Sequence, residues 1–145
     1  DPLWSRGLGD VYKRQKLCSQ ISIVMKWVDI MPRNEIQRSV LNELVQWIKN
    51  NLAKKLTMQA LSRFSGYSEW HLFRLFRHYF NMSPMAYIRQ QRMQLSLNLL
   101  QINPPFRIVD ICLMAGYEDI SAFNRTFKRY YTMTPTQFRR SLNLT

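Results

Sequence analysis

The sequence predicts an all-α chain built on a duplicated pair of helices, and three observations lead there. The body of the chain holds only two glycines, and they fall in matching hexapeptides, SGYSEW at 65–70 and AGYEDI at 115–120. Around them the sequence repeats: an offset of 50 aligns Leu61, Gly66 and Tyr67 with Ile111, Gly116 and Tyr117, and an offset of 51 then aligns LFRLFRHYFNMSPMAYIR with FNRTFKRYYTMTPTQFRR. In that window Arg74, Phe76, Tyr79, Met82, Pro84 and Arg89 recur as Arg125, Phe127, Tyr130, Met133, Pro135 and Arg140. Apolar residues flanking the repeats follow helical spacing. Two copies are too few for a solenoid, so the repeat reads as a duplicated supersecondary unit.

Taken in order, residues 1–15 (DPLWSRGLGDVYKRQ) lack periodicity, resemble translated adapter or vector sequence, and are read as a non-native leader. Residues 16–33 are assigned to no element, with candidate starts at Met25 and Met31. Leu41, Leu44, Val45, Ile48 and Leu52 make the stripe of a first helix over 34–51. Thr57 is placed to cap a short second helix that turns Ala60, Leu61 and Phe64 inward and stops at Gly66. Ser68 caps a third, with Leu72, Leu75, Phe76 and Tyr79 inward. Ser83 and Pro84 open a long fourth helix, because proline at the first helical position sacrifices no hydrogen bond. Met85, Ile88, Leu95 and Leu99 are read on one side of it, and Pro104 and Pro105 end it. Ile108, Ile111, Cys112 and Ala115 begin the pattern again, up to Gly116. The expected organisation is a first subdomain at 34–83, a linker helix at 84–103 and a second subdomain at 104–145.

A net charge of +12 and a pI near 10.2 call for a polyanionic partner. From Arg33 onward, sixteen basic residues stand against six acidic ones, so the excess belongs to the body. Cys18 and Cys112 match no metal-ligand or redox spacing, which points to a cytoplasmic chain without metal or cofactor. No apolar run approaches the roughly 20 residues of a membrane span. A Gly-rich phosphate loop, a Cys/His ligand cluster and paired carboxylates are all missing, so an enzyme is not expected.

A short helix, a glycine corner and a second amphipathic helix describe a helix-turn-helix, whose second helix enters the major groove of DNA. Opposite the core of the third helix lie Trp70, Phe73, Arg74 and Arg77. The repeat puts Ser121, Asn124, Arg125 and Lys128 in the same places. Arginine can fork onto guanine, asparagine can pair with adenine and apolar rings can meet thymine methyls. Solvated basic faces gain nothing from two exposed aromatics, so Trp70 and Phe73 favour a contact surface. The same two rings leave open a second reading, a basic helical protein-interaction module with nonspecific nucleic-acid binding. His71 and His78 are read as packing or rim residues, Tyr67 and Tyr117 as packing on the corners, and Cys112 as a small buried side chain.

LTMQALSRFSGYSEWHLFRLFRHYF, SPMAYIR and RIVDICLMAGYEDISAFNRTFKRYYTMTPTQFRR together resemble the DNA-binding domain of AraC/XylS-type transcription regulators, over about 37–140. LVQWIKNNL, GYSEWHL and AYIRQQRM are similar to the small stand-alone members of the MarA, SoxS and Rob type, known for stress and multidrug responses. The resemblance implies seven helices, with the fourth joining two helix-turn-helix subdomains, and a monomer that sets helices 3 and 6 into successive major grooves. It implies double-stranded promoter DNA and RNA polymerase as partners, activation as the outcome, and no small-molecule effector domain in this chain. By position it assigns base reading to the two stripes. Phosphate contact falls to the helix starts near Ser68 and near Thr136 and Gln137, where backbone N–H groups favour anions. Phe73 and Ile120 depart from the family pattern, which commonly carries glutamine at the first and a polar residue at the second.

Overall fold

A computed structural model describes residues 33–143, so the expectations for 1–32 lie outside the described residues. Among the described residues seven helices follow one another: α1 (Arg33–Asn50), α2 (Met58–Ser65), α3 (Glu69–Phe80), α4 (Pro84–Leu100), α5 (Ile108–Met114), α6 (Ile120–Tyr131) and α7 (Pro135–Asn143). No strand occurs among the described residues. The caps explain the boundaries. Thr57 Oγ1 accepts the Ala60 N–H at 3.1 Å, Ser68 Oγ the His71 N–H at 3.1 Å and Ser83 Oγ the Ala86 N–H at 3.2 Å, each satisfying a donor that the helix start leaves free. Asn81 and Thr132, equivalent in the repeat, close α3 and α6 in the left-handed region at φ 57° and 64°.

Two hydrophobic cores form and share no buried residue. The first gathers Leu41, Leu44, Val45, Ile48 and Leu52 with Leu61, Leu72, Phe76, Tyr87 and Ile88. The second gathers Met93 and Leu100 with Ile111, Cys112, Ala115, Phe123 and Phe127. Full burial of one such side chain contributes about 1.5–3 kcal/mol. The stripes expected for α1, α3 and α5 therefore face inward.

Two expectations are corrected. Phe64 points outward, 45% exposed, with its ring stacked on Trp47 at 4.8 Å. A helix of only eight residues has room for one deep anchor, and Leu61 takes it. The apolar side read on α4 is incomplete: Met85, Ile88 and Leu95 pack on the first core and Leu99 on the second, but the deepest apolar side chains of the helix are Tyr87, Ile88, Met93 and Leu100. Met93 and Leu100, one heptad apart, form a second stripe that the second core covers.

Candidate nucleic-acid interface

The two glycine corners hold their following helices by different closures. In the first, Gly66 sits at φ 78° and its N–H donates to the Ser62 carbonyl at 2.9 Å, a single-bond left-handed cap. In the second, Gly116 sits at φ 88°, its N–H bonds the Leu113 carbonyl and the Tyr117 N–H reaches the Cys112 carbonyl at 3.0 Å. That nested pair is a Schellman closure. The extra residue of the second corner is Glu118, so the cap of α6 is Asp119, equivalent to Ser68. One bond is common to both corners: Ser62 Oγ donates to the Tyr67 carbonyl at 2.6 Å, and Cys112 Sγ reaches the Tyr117 carbonyl at 3.5 Å. Burial, followed by the nearby Asp119 charge, pushes the Cys112 thiol up, which keeps it protonated as a donor.

The corners present α3 and α6 with one face buried and one outward. Leu72, Leu75 and Phe76 anchor α3, while Trp70, Phe73, Arg74 and Arg77 are exposed on the other side. Trp70 is 68% exposed and the Arg74 guanidinium lies 4.8 Å from the centre of its ring. The stack holds the arginine fork beside a flat apolar surface. His71 is half-buried with its ring 4.5 Å from Tyr67, and His78 is exposed beside Tyr79. With Ile36 and Gln37 of α1, these histidines and Arg74 line a hollow along the edge of α3.

On α6, Phe123 and Phe127 are the anchors, and Ser121, Arg125 and Lys128 are exposed. Asn124 differs: it is half-buried, and its Oδ1 is enclosed without a hydrogen-bond partner. The second stripe is thus narrower than the repeat predicts. Arg139 on α7, which sequence reasoning passed over, is half-buried with Nε and Nη2 likewise enclosed and unpartnered.

Ser68, Thr136 and Gln137 are all exposed at helix starts. At α7, Thr134 Oγ1 accepts the Gln137 N–H at 3.2 Å while Gln137 Oε1 accepts the Thr134 N–H at 2.9 Å, a reciprocal capping box. The spacing T-P-T-Q carries that signature, which the sequence reading did not draw. Asp119 also has a role the sequence reading missed. Its carboxylate accepts the Ser121 and Ala122 N–H groups at 2.9 and 3.3 Å, which neutralises the positive start of α6. No group of three or more metal-ligating side chains occurs among the described residues, and none of their helices is long and apolar enough to cross a membrane.

Two helix-turn-helix units on one chain, each with an outward basic helix face and joined through one shared helix, define a bipartite DNA-binding domain. The chain belongs to the AraC-type helix-turn-helix family, whose domain model, described as "Helix-turn-helix domain", matches residues 61–141. It is 32% identical over 107 residues to the HTH-type transcriptional activator AarP of Providencia stuartii, covering 74% of this chain and 78% of that one. It is also 32% identical over 110 residues to the multiple antibiotic resistance protein MarA of Escherichia coli K12, covering 75% and 85%. Among solved structures, a DNA-binding transcriptional dual regulator from Escherichia coli K-12 superposes with a TM-score of 0.64 at 27% identity, over 70% of this chain and 90% of the other. The fold also matches the DNA-binding domain of AdpA, solved in complex with a target DNA, with a TM-score of 0.66 at 21% identity over 70% and 90%.

Proposed function

We propose that this protein is a sequence-specific, DNA-binding transcription regulator that acts as a monomer, with α3 and α6 reading successive major grooves of promoter DNA. The observation that carries the reading is the pair of equivalent outward stripes, Trp70, Phe73, Arg74 and Arg77 on α3 and Ser121, Arg125 and Lys128 on α6, each on a helix anchored by a buried apolar face. The scale agrees: α4 has 17 residues, about 25 Å at 1.5 Å per residue, against a groove repeat of about 34 Å along one DNA face. Arg74 and Arg125 supply forked donors for guanine edges, and Trp70 and Phe73 supply apolar contacts for thymine methyls. Ser68, Thr136 and Gln137 stand at helix starts suited to phosphate.

Because the stripes differ in chemistry, the site is asymmetric. AarP, which is named an activator, supports activation; RNA polymerase as the protein partner and a cytoplasmic setting belong to the same proposal. Mobility shifts with promoter fragments and scrambled duplexes test this. Preferential binding to promoter DNA that Arg125→Ala relaxes is the expected result, with a cost of about 1–3 kcal/mol. Equal affinity for both duplexes, or an unchanged Arg125→Ala variant, would overturn the reading.

A further inference from the structure

The two cores share α4 but no buried residue, so the placement of α3 relative to α6 depends on what joins the units beyond that helix. Arg92 lies on α4 between Ile88, in the first core, and Met93, in the second. Its Nε donates to the Leu52 carbonyl at 3.2 Å and its Nη2 to the Lys54 carbonyl at 2.9 Å, both in the segment that follows α1. The guanidinium lies 5.9 Å from the centre of the Tyr117 ring, in the corner of the second unit. Gly116 completes the joint. A Cβ at that position would overlap the Leu52 carbonyl oxygen and lie 2.9 Å from Arg92 Nε and 3.0 Å from Cζ. At Gly66, the same position in the first unit, a Cβ meets nothing within 4 Å. The glycine of the second corner is thus pressed against the first unit, with Arg92 filling the seam between them.

The seam is half-buried, and burial pulls the Arg92 guanidinium below its ordinary range, an effect that Tyr117 opposes. An arginine stays charged under such a pull, so both carbonyls keep a charged donor. Ala53, Lys55 and Leu56 from the first unit face Leu113 and Tyr117 across the adjoining cleft.

We propose that Arg92, acting through the Leu52 and Lys54 carbonyls and the Gly116–Tyr117 corner, is a positioning residue that fixes the separation and angle of α3 and α6, so that the chain accepts a single spacing of its two half-sites. The inference rests on the two-groove reading. Arg92 itself lies in the seam rather than on either reading stripe, so its removal loosens the coupling of the readers and leaves each reader intact.

The test is parallel selection of bound duplexes from a random-sequence pool by the wild-type protein and by Arg92→Met, which keeps the apolar stem and removes both bonds. Wild type is expected to select two sequence blocks at one fixed separation. Arg92→Met is expected to select the same blocks over several separations, to bind the full wild-type site about tenfold more weakly, and to bind a duplex carrying either block alone as wild type does. Arg92→Lys, which keeps the charge but only one donor nitrogen for the two carbonyls, carries the same test should the methionine variant fail to fold, with an intermediate spread. Selection of the wild-type separation by the variants, with affinity within twofold, would overturn the inference while leaving two-groove reading in place. Failure of the wild type to select any paired motif would overturn both.

Discussion

The two corner glycines separate a local requirement from a tertiary one, and alanine at each measures the difference. Both sit at positive φ, +78° at Gly66 and +88° at Gly116, where a residue with a Cβ is strained by about 1–2 kcal/mol. A stiffer unfolded chain returns about 0.4–1 kcal/mol in each case. At Gly66 nothing else changes, because the new methyl points into open space. At Gly116 it collides with the Leu52 carbonyl and with Arg92, and relief of the collision breaks the 3.2 Å bond between them. A charged hydrogen bond contributes about 1.5–3 kcal/mol. Gly66→Ala is therefore expected to lower stability by about 1 kcal/mol and Gly116→Ala by about 3 kcal/mol or more. Urea denaturation followed by circular dichroism gives both values from midpoints at a common slope. Equal losses at the two sites, within about 0.5 kcal/mol, would refute the claim that the second corner is pressed against the first unit.

Other consequences follow from the caps and the charge. Asp119→Ala leaves two N–H groups at the start of α6 without their acceptor and is expected to cost about 1 kcal/mol, read from the same denaturation curves. Thr132→Gly removes a β-branched residue from φ 64° and is expected to raise the thermal midpoint by several degrees, from a gain of about 1 kcal/mol. Lys128→Ala is expected to weaken binding to all duplexes alike and to reduce the slope of log affinity against log salt by about 1, measured by fluorescence anisotropy. Burial raises the phenols of Tyr87, Tyr117 and Tyr131, so the folded state holds their protons more tightly than the unfolded chain. That stability is complete below the ordinary tyrosine value of about 10 and is lost as pH rises through the higher folded values, which denaturation midpoints between about pH 8 and 11 will show.

The fold was legible because its signals are local. Thr57, Ser68 and Ser83 advertise their caps, Gly66 and Gly116 their corners, and the stripes from Leu41 to Ala115 their buried faces. Phe64 misled because periodicity assigns a face but cannot say how deep that face lies, and on a short helix beside Trp47 it lies on the outside. The α4 stripe was incomplete, without Tyr87, Met93 and Leu100, because one helix packs successively on two cores, a fact about the whole chain that no window contains. The repeat placed both outward stripes, and it overstated their equality: Asn124 is drawn inward where its counterpart Phe73 stays exposed. Arg92 gave no sign at all, since its partners are carbonyls 40 and 38 positions earlier and backbone carries no sequence signature.

The central claim is that one chain reads two grooves with two chemically different helices. Hydroxyl-radical and guanine-methylation footprinting on a site selected by the wild-type protein tests it most directly. The account predicts two protected major-groove segments on one DNA face, about one helical turn apart, with Arg74→Ala erasing contacts in one segment and Arg125→Ala in the other. A single protected segment, or two that weaken together with either substitution, would contradict it.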